Sequence, residues 1–90
     1  MQTPQTVQGF KTLVKNMTHR ERFVFPLKKG GNIEVYHTIK FESPKAPENI
    51  CLTVIDENGN KETTINRLLN LWSDSYFQKI YDLLAPAKEV

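Results

Sequence analysis

Alternation between apolar and polar side chains in the stretch NIEVYHTIKF, residues 32–41, is the strongest constraint on how this chain can fold. This period of two predicts a β-strand with one face turned towards a hydrophobic core. The hydrophobic members of the inward series are Ile33, Val35, Ile39 and Phe41. His37 occupies the central position of that series, which raises the question of whether this histidine is reactive or structural.

The preceding stretch RFVFPL, residues 22–27, alternates in the same way and is rich in β-forming side chains. Proline cannot donate a hydrogen bond to a neighbouring strand, so Pro26 predicts that this strand lies at an edge of the sheet. The intervening sequence KKGGN predicts a hairpin whose loop is Lys29, Gly30 and Gly31, because this choice keeps every large hydrophobic residue on one face. The register that follows places Leu27 opposite Ile33, Phe25 opposite Val35, and Phe23 opposite His37.

A third strand is predicted over residues 50–56, where ICLTVID alternates again. It is followed by Asn58-Gly59, a strong signal for a two-residue hairpin loop. The loop leads into a short fourth strand near residues 60–64. The pair expected beside it is Asp56 opposite Lys61.

Apolar residues recur at helical spacing near both ends of the chain. Thr3 offers an N-cap for an amphipathic helix over residues 4–17. A second helical segment is predicted over residues 65–84, either as one kinked helix or as two short helices, because Ser73 can cap a restarted helix. Pro86 is expected to end this segment.

Together these elements predict a single α+β domain over residues 1–90, built as two layers. The predicted order is α-β-β-β-(β)-α, in which a three- to four-stranded antiparallel meander packs against an N-terminal helix and a C-terminal helical segment. A chain of 90 residues is enough for one hydrophobic core. Residues 1–3 and 86–90 are expected to be frayed tails.

Catalytic chemistry finds little support in the sequence. Cys51 and His37 could form a nucleophilic pair. However, the alternation of side chains along each strand, which we call strand parity, places them on opposite faces of the sheet. His37 is therefore interpreted as a core histidine with a hydrogen-bonded nitrogen, and Cys51 as a small apolar strand residue. We expect the protein not to be an enzyme and to have no small-molecule substrate.

Metal ions and cofactors are not expected either. The two histidines and one cysteine lack the spacing of metal ligands. The stretch DENGNKE places Asp56, Asn58 and Asn60 at alternating positions, but no glutamate follows at the distance that a calcium loop requires. The KKGGN turn opens a strand rather than a helix, so it does not resemble a phosphate-binding loop.

The face of the sheet opposite the core is expected to be the site of function. Strand parity assigns to it a mixed but fairly apolar set of side chains. The residues predicted to bind a partner are Val24, Tyr36, Thr38, Thr53 and Ile55, with Cys51 on the same face. Such a surface either meets a partner or is covered within the chain, with the two helical segments on opposite sides of the sheet.

Charge suggests a second possibility. The net charge is +2, but residues 1–45 contain eight Lys/Arg and three acidic residues, a balance of +5, whereas residues 46–90 contain four and seven, a balance of −3. An uneven charge of this kind can mark a nucleic-acid surface or simply a solvated one. The basic residues that would contact nucleic acid are Lys11, Lys15, Arg20, Arg22, Lys28 and Lys29.

We therefore predict a small non-enzymatic protein that acts by binding another protein or a second copy of itself. An inhibitor, adaptor or assembly factor would suit its size, and one concrete version is a phage- or mobile-element-encoded inhibitor. The alternative is an accessory protein that binds nucleic acid through the basic first half. A single cysteine and the absence of a long apolar stretch favour a cytoplasmic location away from membranes.

Overall fold

A computed structural model of the chain describes residues 3–18, 20–39 and 48–86, with only the backbone of Ile39. It confirms the predicted class, a small α+β domain with an N-terminal helix, one antiparallel sheet and a C-terminal helix. The elements in chain order are α1 (Val7–Lys15), β1 (Arg22–Pro26), β2 (Asn32–Ile39), β3 (Glu48–Ile55), β4 (Lys61–Leu68), a 3₁₀ helix (Leu69–Leu71) and α2 (Asp74–Leu83).

The four strands form one meander, in the order β1-β2-β3-β4, and every neighbouring pair is antiparallel. β1 is an edge strand, as Pro26 predicts. The carbonyl of Pro26 points outwards from the sheet and accepts a hydrogen bond from the Ala85 backbone N–H at 2.9 Å. An isolated bridge between Leu27 and Leu84 continues this contact, so the end of the C-terminal segment covers part of the β1 edge.

Both helices lie on the same face of the sheet, which we call the inner face. The Phe10 ring of α1 contacts the Phe25 ring of β1, with centroids 5.7 Å apart, and the Phe77 ring of α2 at 6.3 Å. Ile33, Val35, Ile50 and Leu52 complete this core from the two central strands. The alternative arrangement, with one helical segment on each side of the sheet, is therefore not adopted.

The first hairpin has a different register from the predicted one. Its loop consists of Lys28, Lys29 and Gly30, because the Leu27 N–H donates to the Gly31 carbonyl at 3.1 Å. Gly31 directly precedes β2, and a Cβ atom there would lie 2.2 Å from the Ile55 carbonyl oxygen. The observed pairs are Phe25 opposite Ile33 and Phe23 opposite Val35. The shift is two residues, so the described side chains of both strands keep their predicted faces.

The second hairpin also departs from prediction. The Asp56 N–H donates to the Asn60 carbonyl at 2.8 Å, so the loop consists of Glu57, Asn58 and Gly59 rather than two residues. Lys61 pairs with Ile55 instead of Asp56, and the register shifts between Val54 and Ile55 as β4 continues. Gly59 has a φ of 85°, the left-handed conformation that glycine adopts without strain.

β4 is longer, and the C-terminal helix shorter, than predicted. Residues 65–68 extend β4 because they pair with β3 up to Leu68 opposite Asn49. The helix starts only after Ser73, whose Oγ accepts a hydrogen bond from the Tyr76 N–H at 3.2 Å. Ser73 is thus the N-cap that the sequence offered. The helical interpretation of residues 65–68 is wrong, and Leu69–Leu71 form a short 3₁₀ helix rather than part of an α-helix.

The N-terminal helix begins later than predicted. Its N-cap is Thr6, whose hydroxyl accepts a hydrogen bond from the Gly9 N–H at 3.0 Å, rather than Thr3. Thr3 is buried, and the Pro4 carbonyl accepts a hydrogen bond from the Tyr81 hydroxyl at 2.6 Å. Of the predicted terminal tails, residues 1–2 and 87–90 lie outside the described residues. Phe41, predicted to belong to the inward series of β2, also lies outside them.

Candidate interaction face

The outer face of the sheet, opposite the two helices, brings together all five residues predicted to bind a partner. Register and alternation place them in neighbouring rows across β1, β2 and β3. Val24 and Thr53 both pair with Glu34, and Tyr36 pairs with Cys51. Thr38 lies at one end of this surface and Ile55 at the other.

No described helix or strand covers this face, because α1 and α2 both pack on the other side. Val24 is 36% exposed, and Tyr36, Thr38 and Ile55 are partly exposed. Thr53 is only 8% exposed, although no second layer lies over it in the described part of the chain. It occupies β3, a central strand, so its neighbours in the sheet screen it from solvent.

An ordered group of side chains surrounds Tyr36. The Arg22 guanidinium lies over the Tyr36 ring at 5.0 Å and forms an ion pair with Glu34, Nε to Oε1, at 2.9 Å. Arg22 is therefore held between a carboxylate and an aromatic face, the two partners that a guanidinium prefers. A planar cation and a tyrosine fixed in this way are the residue types that most often anchor protein interfaces.

Polar contacts continue across the far part of the face. The Asn49 side-chain amide donates hydrogen bonds to Thr38 Oγ1 and Asn66 Oδ1, both at 3.2 Å. Cys51 Sγ lies 3.9 Å from Thr53 Oγ1. These contacts hold the surface side chains in one arrangement, so a partner would meet a preorganised face rather than a mobile one.

His37 and Cys51 lie on opposite faces, so they do not form a catalytic pair. His37 pairs with Ile50 in the register, is 2% exposed and belongs to the inner face. Its Nε2 atom lies 3.8 Å from Glu48 Oε2. Cys51 is a free, partly buried thiol on the outer face. These positions agree with the interpretation of His37 as a core residue.

Metal-binding geometry is also missing from the described residues, which contain no group of three or more His, Cys, Asp or Glu side chains that could hold an ion. The Asp56 carboxylate instead accepts hydrogen bonds from the backbone N–H groups of Asn58, at 2.9 Å, and Asn60, at 2.8 Å. It stabilises the second hairpin loop, which gives Asp56 a structural role.

The six basic residues proposed to contact nucleic acid do not share one surface. Lys11 and Lys15 belong to α1, Arg22 lies on the outer face, and Lys28 and Lys29 form the tip of the first hairpin. Arg20 precedes β1, with a φ of 68°. Three of the six are paired with carboxylates, namely Lys11 with Asp74, Arg22 with Glu34, and Lys29 with Glu62.

A depression of about 450 Å³ lies away from the outer face, beside the C-terminal end of α1. It is lined by Lys15, Glu48, Leu69, Asn70 and Trp72. The indole Nε1 of Trp72 is buried and has no hydrogen-bond partner in the described structure. This lining of one cation, one carboxylate, one amide and two largely apolar side chains does not specify a reaction.

Sequence reasoning missed the contribution of β4 to the outer face. Thr64 pairs with Thr53 and Asn66 pairs with Cys51, so both extend the surface beyond β3. The stretch TTINRL, residues 63–68, spans the end of the predicted short strand and the start of the predicted helical segment. Its three consecutive β-branched residues, residues 63–65, are the signal that favours a strand instead.

Comparisons with known proteins identify no relative. No protein-family model matches the chain, and neither a curated protein nor a solved structure matches it. Neither described helix is long and apolar enough to cross a membrane. The functional interpretation therefore depends on the chemistry of the surface itself.

Proposed function

We propose that this chain is a non-enzymatic protein that binds another protein through the outer face of its sheet. The observation that carries the proposal is the packing of both helices on the inner face, which leaves Val24, Tyr36 and Ile55 uncovered by any described element. A sheet face that mixes apolar and ordered polar side chains is suited to recognition of a protein surface.

Tyr36 would be the anchor of the interface. It lies on β2, a central strand bonded on both sides, so its backbone is rigid before a partner arrives. Its ring provides a large apolar area and its hydroxyl a polar tip. Arg22 and Glu34 would provide charged contacts at its border and set the orientation of the partner.

The class of protein that we propose is an inhibitor, adaptor or assembly factor in the cytoplasm. The more specific version is an inhibitor encoded by a phage or mobile element, directed against a host protein. It depends on small size and on the lack of an assembled catalytic group among the described residues. Nucleic-acid binding gains no support from the distribution of the basic residues, so it enters only as an outcome of the test.

The test compares wild-type protein with Tyr36→Lys in quantitative capture from the native source, with and without nuclease. We expect Tyr36→Lys to change the free energy of unfolding by less than about 1 kcal/mol, because the site is a partly exposed strand position. Loss of an aromatic anchor costs binding about 2 kcal/mol or more, a fall in affinity of about 30-fold.

Gln78→Lys is the matched control, since it introduces the same charge at an exposed position of α2 on the helix side. It should bind as the wild type does. Equal capture by wild type and Tyr36→Lys would contradict the proposal, and so would a variant that no longer folds. Capture abolished by nuclease would favour the nucleic-acid alternative.

A further inference from the structure

The two edges of the sheet differ in how they are protected. On the β1 edge, Pro26 has no N–H to donate, and the chain around Leu84 bonds along the strand. On the β4 edge, no described strand or loop pairs with residues 63–68. This segment contains no proline, and three β-branched residues begin it. Long unprotected edges of this kind readily pair with another strand.

Hydrogen-bond alternation shows which β4 backbone groups face the open side. The N–H of His37 donates to the Glu21 carbonyl and the carbonyl of His37 accepts from the Arg20 N–H, both at 3.0 Å, so both His37 groups point towards β1. Backbone groups in an antiparallel ladder alternate in direction from one residue to the next. His37 pairs with Ile50, whose backbone groups therefore point towards β4, and Ile50 pairs with Arg67, whose groups point back towards β3. The alternating residues of β4, namely Thr64, Asn66 and Leu68, therefore direct their N–H and C=O groups towards the open edge.

Ile65 is the side chain that most needs a partner on this edge. It pairs with Leu52 on the inner face but is 43% exposed, while Leu52 is buried. Its own backbone groups bond to β3, so in any antiparallel pairing at the open edge it would occupy a non-hydrogen-bonded position. Side chains approach each other most closely at such positions, with Cα atoms about 4.5 Å apart.

A two-fold antiparallel pairing of β4 with itself about Ile65 is complementary. It sets Ile65 against the same residue of a second copy, Thr64 against Asn66, and Thr63 against Arg67. A register centred on Thr64 would instead set Lys61 against Arg67, a destabilising pair of like charges. The two-fold axis is perpendicular to the sheet, so both copies keep their helices on the same side.

We propose that this chain forms a symmetric homodimer by antiparallel pairing of two β4 strands centred on Ile65. The two sheets join into one, which buries the Ile65 side chains and satisfies the outward-pointing groups of Thr64 and Asn66. The outer faces of the two copies then lie side by side and present two Tyr36 residues in one surface. This dimer goes beyond the proposed binding activity, which uses a different surface of each copy.

Sedimentation equilibrium tests the dimer directly. We expect the wild type to associate to a dimer and Ile65→Lys to weaken association at least tenfold, because it places two lysines face to face. Leu83→Lys is the matched control, since Leu83 is a similarly exposed leucine on α2, away from the β4 edge. It should dimerise as the wild type does. A wild-type protein that remains monomeric at the highest soluble concentration would overturn the proposal.

Disulfide trapping tests the register and does not depend on whether Ile65→Lys folds. In a Cys51→Ser background, Ile65→Cys should give a disulfide-linked dimer under mild oxidation, because each copy brings the same position to the axis. Thr64→Cys should cross-link at least tenfold more slowly. Faster cross-linking of Thr64→Cys would overturn the Ile65-centred pairing.

Tyr36→Lys separates this proposal from the proposed function. It should dimerise normally while losing its protein partner. Loss of dimerisation in Tyr36→Lys would place the contact between copies on the outer face and overturn the β4 pairing.

Discussion

Side chains of the inner and outer faces alternate along the same strands, yet the two sets are buried by different neighbours. On the inner face Ile50 and Val35 are fully buried because α1 and α2 form a second layer over them. On the outer face Thr53 is almost as buried, without any described element above it. Its cover comes from its neighbours in the register, Glu34 and Thr64.

This difference shows that burial alone does not separate core from interaction surface. An inner residue loses its contacts when a helix is displaced, whereas an outer residue keeps the contacts within its own sheet. The outer face is therefore ordered before binding, and a partner adds a layer to it rather than creating its structure. Ile50 and Ile55 allow a direct comparison, because both are isoleucines of β3 that differ in face.

The largest expected effect is that of Ile50→Ala. Its side chain is fully buried between the sheet and the helices, so truncation leaves a cavity. We expect the free energy of unfolding to fall by about 2–5 kcal/mol. Ile55→Ala, the matched variant on the outer face, should cost less than about 1 kcal/mol. Urea denaturation of both variants measures the difference.

Equal losses for the two variants would show that the outer face is covered as completely as the inner one. That result would remove the observation on which the proposed function depends. A large loss for Ile50→Ala alone would support the division into a core face and a binding face.

His37→Leu should have an intermediate effect and sharpen the comparison in another way. His37 is a polar residue in the buried series, and leucine has a similar volume. We expect cooperative unfolding with a change in free energy within about 1.5 kcal/mol. Because His37 faces away from the outer surface, partner capture should be unchanged. Lost capture with unchanged stability would assign His37 a functional role.

Strand parity was the part of the fold that the sequence predicted best. It assigned every one of Val24, Tyr36, Thr38, Thr53 and Ile55 to the face where the structure places it. Parity survives an error of two residues in register, which is why the wrong hairpin loop did no damage to the predicted face.

Loop geometry was predicted less well. Both hairpins use a loop of three residues that ends in a left-handed glycine, Gly30 in the first and Gly59 in the second. In the first hairpin the following Gly31 is also left-handed, and β3 approaches it too closely for a side chain. The local sequence does not reveal this contact with β3, so the first loop was predicted one residue too far along the chain.

The arrangement of the helices was not predictable from their periodicity. An amphipathic pattern tells which side of α1 or α2 is apolar, but not which face of the sheet receives it. The polar residues of the outer face, among them Glu34, Asn49 and Asn66, are a signal that this face has no second layer. Their presence favours the arrangement that the structure shows, with both helices on the opposite face.

The smallest expected effect comes from Asp74→Asn, at the exposed junction of the two helices that cover the inner face. The Lys11 ammonium bonds the Asp74 carboxylate and, by this hydrogen bond and its charge, lowers the pKa of that carboxyl group. Lys15 lowers the pKa further, while slight desolvation opposes it. A carboxyl group with a lowered pKa in the folded state stabilises the fold at neutral pH. This stabilisation is lost as the pH falls through the folded pKa.

The difference between wild type and Asp74→Asn in urea midpoint should therefore be present at neutral pH and disappear in acid. Salt should reduce it, because the Debye length shortens from about 10 Å at 0.1 M to about 3 Å at 1 M. A difference that persists in acid would mean that Asp74 stabilises the first turn of α2 by its position rather than by its ion pair with Lys11. The two helices would then be held over the inner face by apolar packing alone.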